Sequence, residues 1–187
     1  MCRGLIDHDD ETDEIFFSHT SIRDFLCAED TANSEAWFNL RDTKSARQHL
    51  LVKCLTYLLF DEFQVPCSDK TTLDTRLRSY PLLEHAAKTW PEYFGHGDLV
   101  ESQVEKALRL MDSRKASGGQ YASWIQVLTN DVPANVSLTT EPLYYAASFG
   151  LLPLVEHLVK RGATVDAPGG RAQATPLQMQ IRKTAMA

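Results

Sequence analysis

Glu141-Pro142-Leu143-Tyr144-Tyr145-Ala146-Ala147-Ser148-Phe149-Gly150 leads through Leu151-Leu152-Pro153 into Leu154-Val155-Glu156-His157-Leu158-Val159-Lys160-Arg161-Gly162-Ala163-Thr164-Val165-Asp166-Ala167. Two short helical patterns lie on either side of Gly150. Pro142 opens the first at a position whose N–H needs no partner, and Ala146 and Ala147 let the paired helices approach closely. Gly150 permits the tight turn, and Gly162 supplies a left-handed cap before the chain extends. Pro142-Leu143 recurs as Pro176-Leu177, a spacing of 34 residues, so the region reads as an internal repeat. Thr175-Pro176-Leu177 opens a second unit whose second helix is missing.

Upstream of this pair the periodicity is helical. Ser45 with Gln48 reads as a capping box, and Leu50, Leu51, Cys54, Leu55, Leu58 and Leu59 give a helix one broad buried face. After a polar connection, Tyr80, Leu83, Ala86, Ala87, Trp90 and Phe94 mark a second helix, in which Pro91 forces an end or a kink near Trp90. A third is expected from Asp98, with Glu101 as its box partner and Val100, Val104, Ala107, Leu108 and Met111 inward. Ser117-Gly118-Gly119 breaks it, and Tyr121, Trp124, Ile125 and Leu128 form a fourth that ends before the turn 130–135. Trp90 and Trp124 are expected in the core of this bundle.

At the other end, Leu5-Ile6 and Ile15-Phe16-Phe17 flank the acidic stretch Asp7 to Glu14, which reads as a hairpin with a long charged loop. Ser21 as cap, with Asp24 three residues on and Ile22, Phe25 and Leu26 periodic, starts a helix. Residues 31–44 read as a loop with a short helical turn. The expected fold class is therefore mainly all-α: an N-terminal hairpin unit over 1–30, a helical connector over 31–138 and the repeat region over 139–187.

Composition excludes several functions. Nineteen Lys and Arg against 25 Asp and Glu give a net charge of −6, and residues 1–30 alone carry nine acids and two bases. No basic cluster is present to neutralise phosphates, so no nucleic-acid partner is expected. The longest apolar-rich piece, Leu50 to Phe60, is too short to cross a bilayer, and no membrane partner is expected. Met1 to Asp7 reads as neither a secretory signal nor a transit peptide, which makes a cytoplasmic address the expectation. Cys2, Cys27, Cys54 and Cys67 form no Cys-x-x-Cys pair and read as buried free thiols.

The segment 141–167 resembles an ankyrin repeat, with small residues, glycines and leucines in register over about one repeat length. It departs from that family at Glu141 and Tyr144, which stand for a Thr and a His, and at His157, which takes a leucine position. Gln180 replaces the first small alanine of the second unit, so the region amounts to one full repeat and a truncated second. The beginning of the chain, Cys2-x-Gly4-Leu5-Ile6 and Ile15-Phe16-Phe17-Ser18-His19-Thr20-Ser21-Ile22-Arg23-Asp24-Phe25-Leu26, resembles the end of the winged-helix domain of fungal NACHT-type STAND proteins, the type similar to a GPI inositol-deacylase. In that family a leucine-rich helix follows, as in Cys54-Leu55-Thr56-Tyr57-Leu58. Next come a segment like Tyr80-Pro81-Leu82-Leu83-Glu84-His85-Ala86-Ala87-Lys88-Thr89-Trp90 and then ankyrin repeats. The order matches across nearly the whole chain. No Gly-x-x-x-x-Gly-Lys-(Ser/Thr) loop occurs, so the family's nucleotide chemistry does not carry over and no cofactor is expected.

Candidate chemistry is sparse. His19, Ser21 and Asp24 could suggest a hydrolase, but no Gly-x-Ser-x-Gly elbow accompanies them and helix capping explains the same residues. The acids from Asp7 to Glu14 lack the order of a calcium loop and read as a solvated turn, so no metal site is expected. His85 and His96 read as surface residues, and Asn135-Val136-Ser137 as an unmodified acceptor in a cytosolic chain. The resemblance implies a non-catalytic protein–protein interaction module, a fragment or short paralogue of a fungal NACHT/ankyrin signalling or incompatibility receptor. The rival readings are a hydrolase fragment using Ser21 and His19, or a decayed gene piece. Phe149, Arg161 and Arg171 occupy the positions where ankyrin proteins vary their partner-facing residues. Leu154, Leu158 and Val159 are expected to be incompletely covered, which would favour self-association through this end.

Overall fold

The computed structural model describes residues 4–12, 14–27, 43–95, 99–132, 140–167, 169 and 175–178, and the chain divides into two units between Ala46 and Arg47. The first unit holds strands β1 (Ile6–Asp9) and β2 (Glu14–Phe17), paired antiparallel with Ile6 opposite Phe17 and Asp9 opposite Glu14. The charged loop is thus shorter than the acidic run. Asp9 closes it by accepting the Glu11 N–H at 2.8 Å, and that bond holds its carboxyl below the usual range. Alternation places Ile6, Ile15 and Phe17 on one face and Asp7 and Asp9 on the other.

Helix α1 (Thr20–Leu26) follows, and its N-cap is His19 rather than Ser21. The ring Nδ1 accepts the Ser21 backbone N–H at 3.1 Å, so a nitrogen does the work expected of a hydroxyl. None of the described residues of this unit is buried; Ile15 is 73% and Phe25 65% exposed. Two strands and two helical turns cannot stabilise themselves without a core. Residues 28–42, including most of the expected 31–44 loop, lie outside the described residues.

The second unit begins in α2 (Thr43–Leu58), which starts two residues ahead of Ser45. Leu51, Cys54, Leu55 and Leu58 are buried on a narrow seam at i, i+3, i+4 and i+7, whereas Leu50, expected inside, is 44% exposed because it lies a full 100° around the helix from Leu51. Tyr57, Phe63 and Tyr80 carry the core onward by ring contacts of 5.7 and 5.0 Å. The polar connection expected here contains a helix, α3 (Lys70–Ser79). Asp69 caps it, accepting the Thr72 N–H at 2.8 Å, and Leu73 is its one buried residue. Arg76 anchors it by donating to the Val65 carbonyl at 2.9 Å with its guanidinium over the Phe63 ring.

Helix α4 (Leu82–Gly95) buries Leu83, Ala86, Ala87, Trp90 and Phe94 as expected, and runs four residues past Pro91. A proline leaves the carbonyl four residues back without its donor, here that of Ala87. Trp124 Nε1–H supplies one at 2.9 Å. Helix α5 (Glu101–Leu110) starts later than Asp98, which lies outside the described residues, and Gln103 Oε1 accepts the Val100 N–H at 3.1 Å. Its inward face is Gln103, Ala107 and Leu110, followed by Met111; Val100 is exposed, and Val104 and Leu108 are half-buried. The expected face was offset because Gln103, a polar residue, belongs to the buried side.

Helix α6 (Gly119–Thr129) is buried all round from Gly119 to Val127 and ends at Asn130 in the left-handed conformation. Trp124 lies at its centre, with Trp90, Tyr121, Tyr145 and Phe149 rings at 5.3, 6.1, 5.7 and 6.2 Å. Gln126 reaches out to Cys67, accepting its N–H at 2.7 Å and donating to its carbonyl at 2.9 Å. Cys54 and Cys67 are buried free thiols, Cys27 is half-buried, and burial pushes the first two upward in pKa. No helix among the described residues is long and apolar enough to cross a membrane.

Two outcomes follow. In native-state amide exchange, Ile15 to Phe17 should lose protection well before Leu51 to Leu58, since none of the described residues around the hairpin is buried; equal protection would show that the unit is covered. In urea unfolding, Trp124→Phe should cost about 1–3 kcal/mol through the unpaired Ala87 carbonyl. The same change in a Pro91→Ala background, where residue 91 regains its N–H, should cost less; strictly additive effects would separate Trp124 from the proline.

Candidate interaction site

The carboxyl-terminal pair consists of α7 (Pro142–Phe149) and α8 (Leu152–Lys160). Pro142 occupies the first turn of α7 and Glu141 is its extended N-cap. Gly150, at φ 70°, donates to the Ala147 carbonyl at 3.0 Å, and Leu151 N–H returns to Ala146 at 2.9 Å. This paired closure needs a left-handed residue, which glycine adopts without strain. Gly162 repeats it at the end of α8, with its own N–H on Val159 and Ala163 N–H on Leu158 at 2.9 and 3.0 Å. Tyr121 fixes where the pair begins, its hydroxyl donating to the Thr140 carbonyl at 2.8 Å; burial holds this phenol far above its usual pKa.

Helix α8 packs on α7 and α5. Leu154 is therefore fully covered, contrary to the expectation for that residue, while Leu158 is half-buried and Val159 is 43% exposed. On the far side of the helix Leu152 is 62% exposed and Val155 half-buried, so Leu152, Val155 and Val159 make an open stripe at i, i+3 and i+7. Residues 176–178 are helical, with Pro176 buried and Leu177 exposed. Gly169 lies against Tyr144 so closely that an added Cβ would sit 2.8 Å from the ring.

A groove of about 800 Å³ runs between α5, the start of α7 and the end of α8. Val104, Leu108 and Leu158 give it half-buried apolar walls, and Glu101, Glu105, Arg109 and Arg161 stand exposed along it. Beside them Asp112 holds Arg114 in a two-pronged contact, 2.8 Å from Nε and 3.4 Å from Nη2, which lowers the Asp112 pKa. The fork therefore persists through neutral pH and is lost only as pH falls through that depressed value. His157, also on the groove, has its Nε2 shut off from solvent and without a hydrogen-bond partner among the described residues. A buried polar nitrogen left unpaired costs about 1–3 kcal/mol.

Of the three partner-contact candidates, Arg161 is exposed on this groove. Phe149 is half-buried with its ring on Trp124. Arg171 lies outside the described residues, as do His96 and 133–139 with the Asn135-Val136-Ser137 acceptor. His85 is exposed. His19 Nδ1 and Ser21 Oγ are 2.8 Å apart on an exposed surface, and the same nitrogen takes the Ser21 backbone N–H as a helix cap. Asp24 makes no hydrogen bond to either among the described residues. In the acidic turn His8 Nδ1 lies 3.0 Å from Asp10. No group of three or more His, Cys, Asp or Glu side chains suited to a metal ion occurs among the described residues. Sequence reasoning missed the groove, because its walls come from segments about fifty residues apart and only packing brings them together. No family model, curated protein or solved structure matches the chain.

Gly169→Ala should lower the melting temperature, since neither the Tyr144 ring nor the Thr140 methyl at 2.9 Å is the far end of a flexible chain. An unchanged melt would mean that this loop does not press on α7.

Proposed function

We propose that the chain is a non-catalytic protein–protein interaction module that docks through its α7–α8 end. The observation that carries this reading is the open stripe on α8: Leu152 and Val159 stay exposed on a helix whose opposite side, at Leu154, is completely covered. Repeat units bury such a flank against a neighbour. The ankyrin-like residues of 141–167 support the same role, and the motif order along the chain supports an origin as a fragment or short paralogue of a fungal NACHT/ankyrin signalling or incompatibility receptor acting in the cytoplasm. The partner is a protein surface, and a second copy of the chain can serve.

Sedimentation measured over a range of concentrations tests this. The wild-type chain should self-associate as concentration rises, and Leu152→Asp should remain monomeric with an unchanged melting temperature, because the replaced side chain already meets water. If both sediment alike, the stripe docks no second copy. Ester and phosphate-ester hydrolysis should proceed at the buffer rate; turnover abolished by Ser21→Ala would replace this reading with the hydrolase one.

A further inference from the structure

We propose that the groove between α5 and the end of α8 is a second binding site, separate from the outer stripe of α8, and that it takes a short peptide segment of another protein carrying an apolar side chain flanked by charges of opposite sign. Its volume of about 800 Å³ lies within the range of ligand-binding clefts. Val104, Leu108 and Leu158 can cover one apolar side chain. Glu101 and Glu105, one turn apart on α5, pair with no cation among the described residues, and Arg109 and Arg161 pair with no carboxylate. Surface charges normally meet solvent, but here both signs line one concave surface, which suits a ligand bearing both. His157 stands behind this wall, its Nε2 out of reach of the groove's open side.

Other occupants fit less well. Nucleic acid or a free phosphate would meet the carboxylates of Glu101, Glu105 and Glu141. A bare cation would face Arg109 and Arg161. A second copy would bring one concave groove against another and leave both unfilled.

The test uses fluorescein-tagged peptides with the full chain at low salt, read by anisotropy: Lys-Lys-Ala-Leu-Ala-Asp-Asp, its reverse order, and versions with only Lys or only Asp at both ends. At least one two-signed peptide should bind about tenfold more tightly than either single-signed one. Arg161→Glu should erase that preference, as should Glu101→Lys with Glu105→Lys, and all three changes together should bring it back with the opposite peptide order favoured. Leu152→Asp should leave peptide binding intact, which separates this site from the docking stripe. Equal binding of all four peptides, binding of none, or a preference that survives the charge changes would each overturn the proposal.

Discussion

The hydrogen bond from Trp124 to the Ala87 carbonyl holds the second unit together, because it answers a defect that the sequence itself creates. Pro91 removes the donor that an α-helix would offer Ala87, and a buried carbonyl without a donor is unfavourable. The indole supplies that donor from α6 and so joins two helices at a defined height and rotation. Once Trp124 is so placed, the four rings around it define the positions of α4, α6 and α7 relative to one another. A purely apolar contact could slide; a bond to one carbonyl cannot.

Around this point α6 acts as the axis of the unit. It is buried on every side, so its polar residues need partners, and each has one. Gln126 grips both backbone groups of Cys67, Ser123 meets Arg76 at 3.4 Å, and Gln120 accepts from Lys115 at 2.7 Å. Tyr121 adds the Thr140 carbonyl. Four of these bonds reach into the segments that join helices, so α6 orders the connections as well as the core. The start of α7 is thereby tied to α6 through Thr140, and α8 packs on α7 and α5.

Much of this was legible in the sequence, for identifiable reasons. The glycines at 150 and 162 predict helix ends because a left-handed cap is what closes each helix and glycine adopts it without strain, and the apolar pattern from Leu83 to Phe94 predicts α4 because five residues keep one face. Helix α3 was not legible: Leu73 alone is buried, and the rest of its anchoring comes from Arg76, whose partners lie in other segments. The inward face of α5 was offset because Gln103 is polar and yet buried. His19 escaped as a cap because a ring nitrogen is a less familiar acceptor there than a hydroxyl. The division of the chain between Ala46 and Arg47 left no composition signal, since it falls inside the first turn of a helix.

The two-signed groove follows from how its helices bury their other faces. On α5, packing of Gln103, Ala107 and Leu110 at i, i+4 and i+7 turns Glu101, Glu105 and Arg109 to the opposite side, where they share one stripe. On α8, burial of Leu154 leaves His157, Leu158 and Arg161 along the side that faces α5. The turn at Gly162 then draws the Ala163 N–H back onto Leu158 and reverses the chain beside Arg161. Neither stripe could be rotated into solvent without exposing a residue that is now fully covered, Leu110 on one helix and Leu154 on the other. Burying such a side chain is worth about 1.5–3 kcal/mol, more than an exposed charge gains or loses by facing a neighbour. Packing therefore decides where these charges stand, and the groove keeps both signs along one surface.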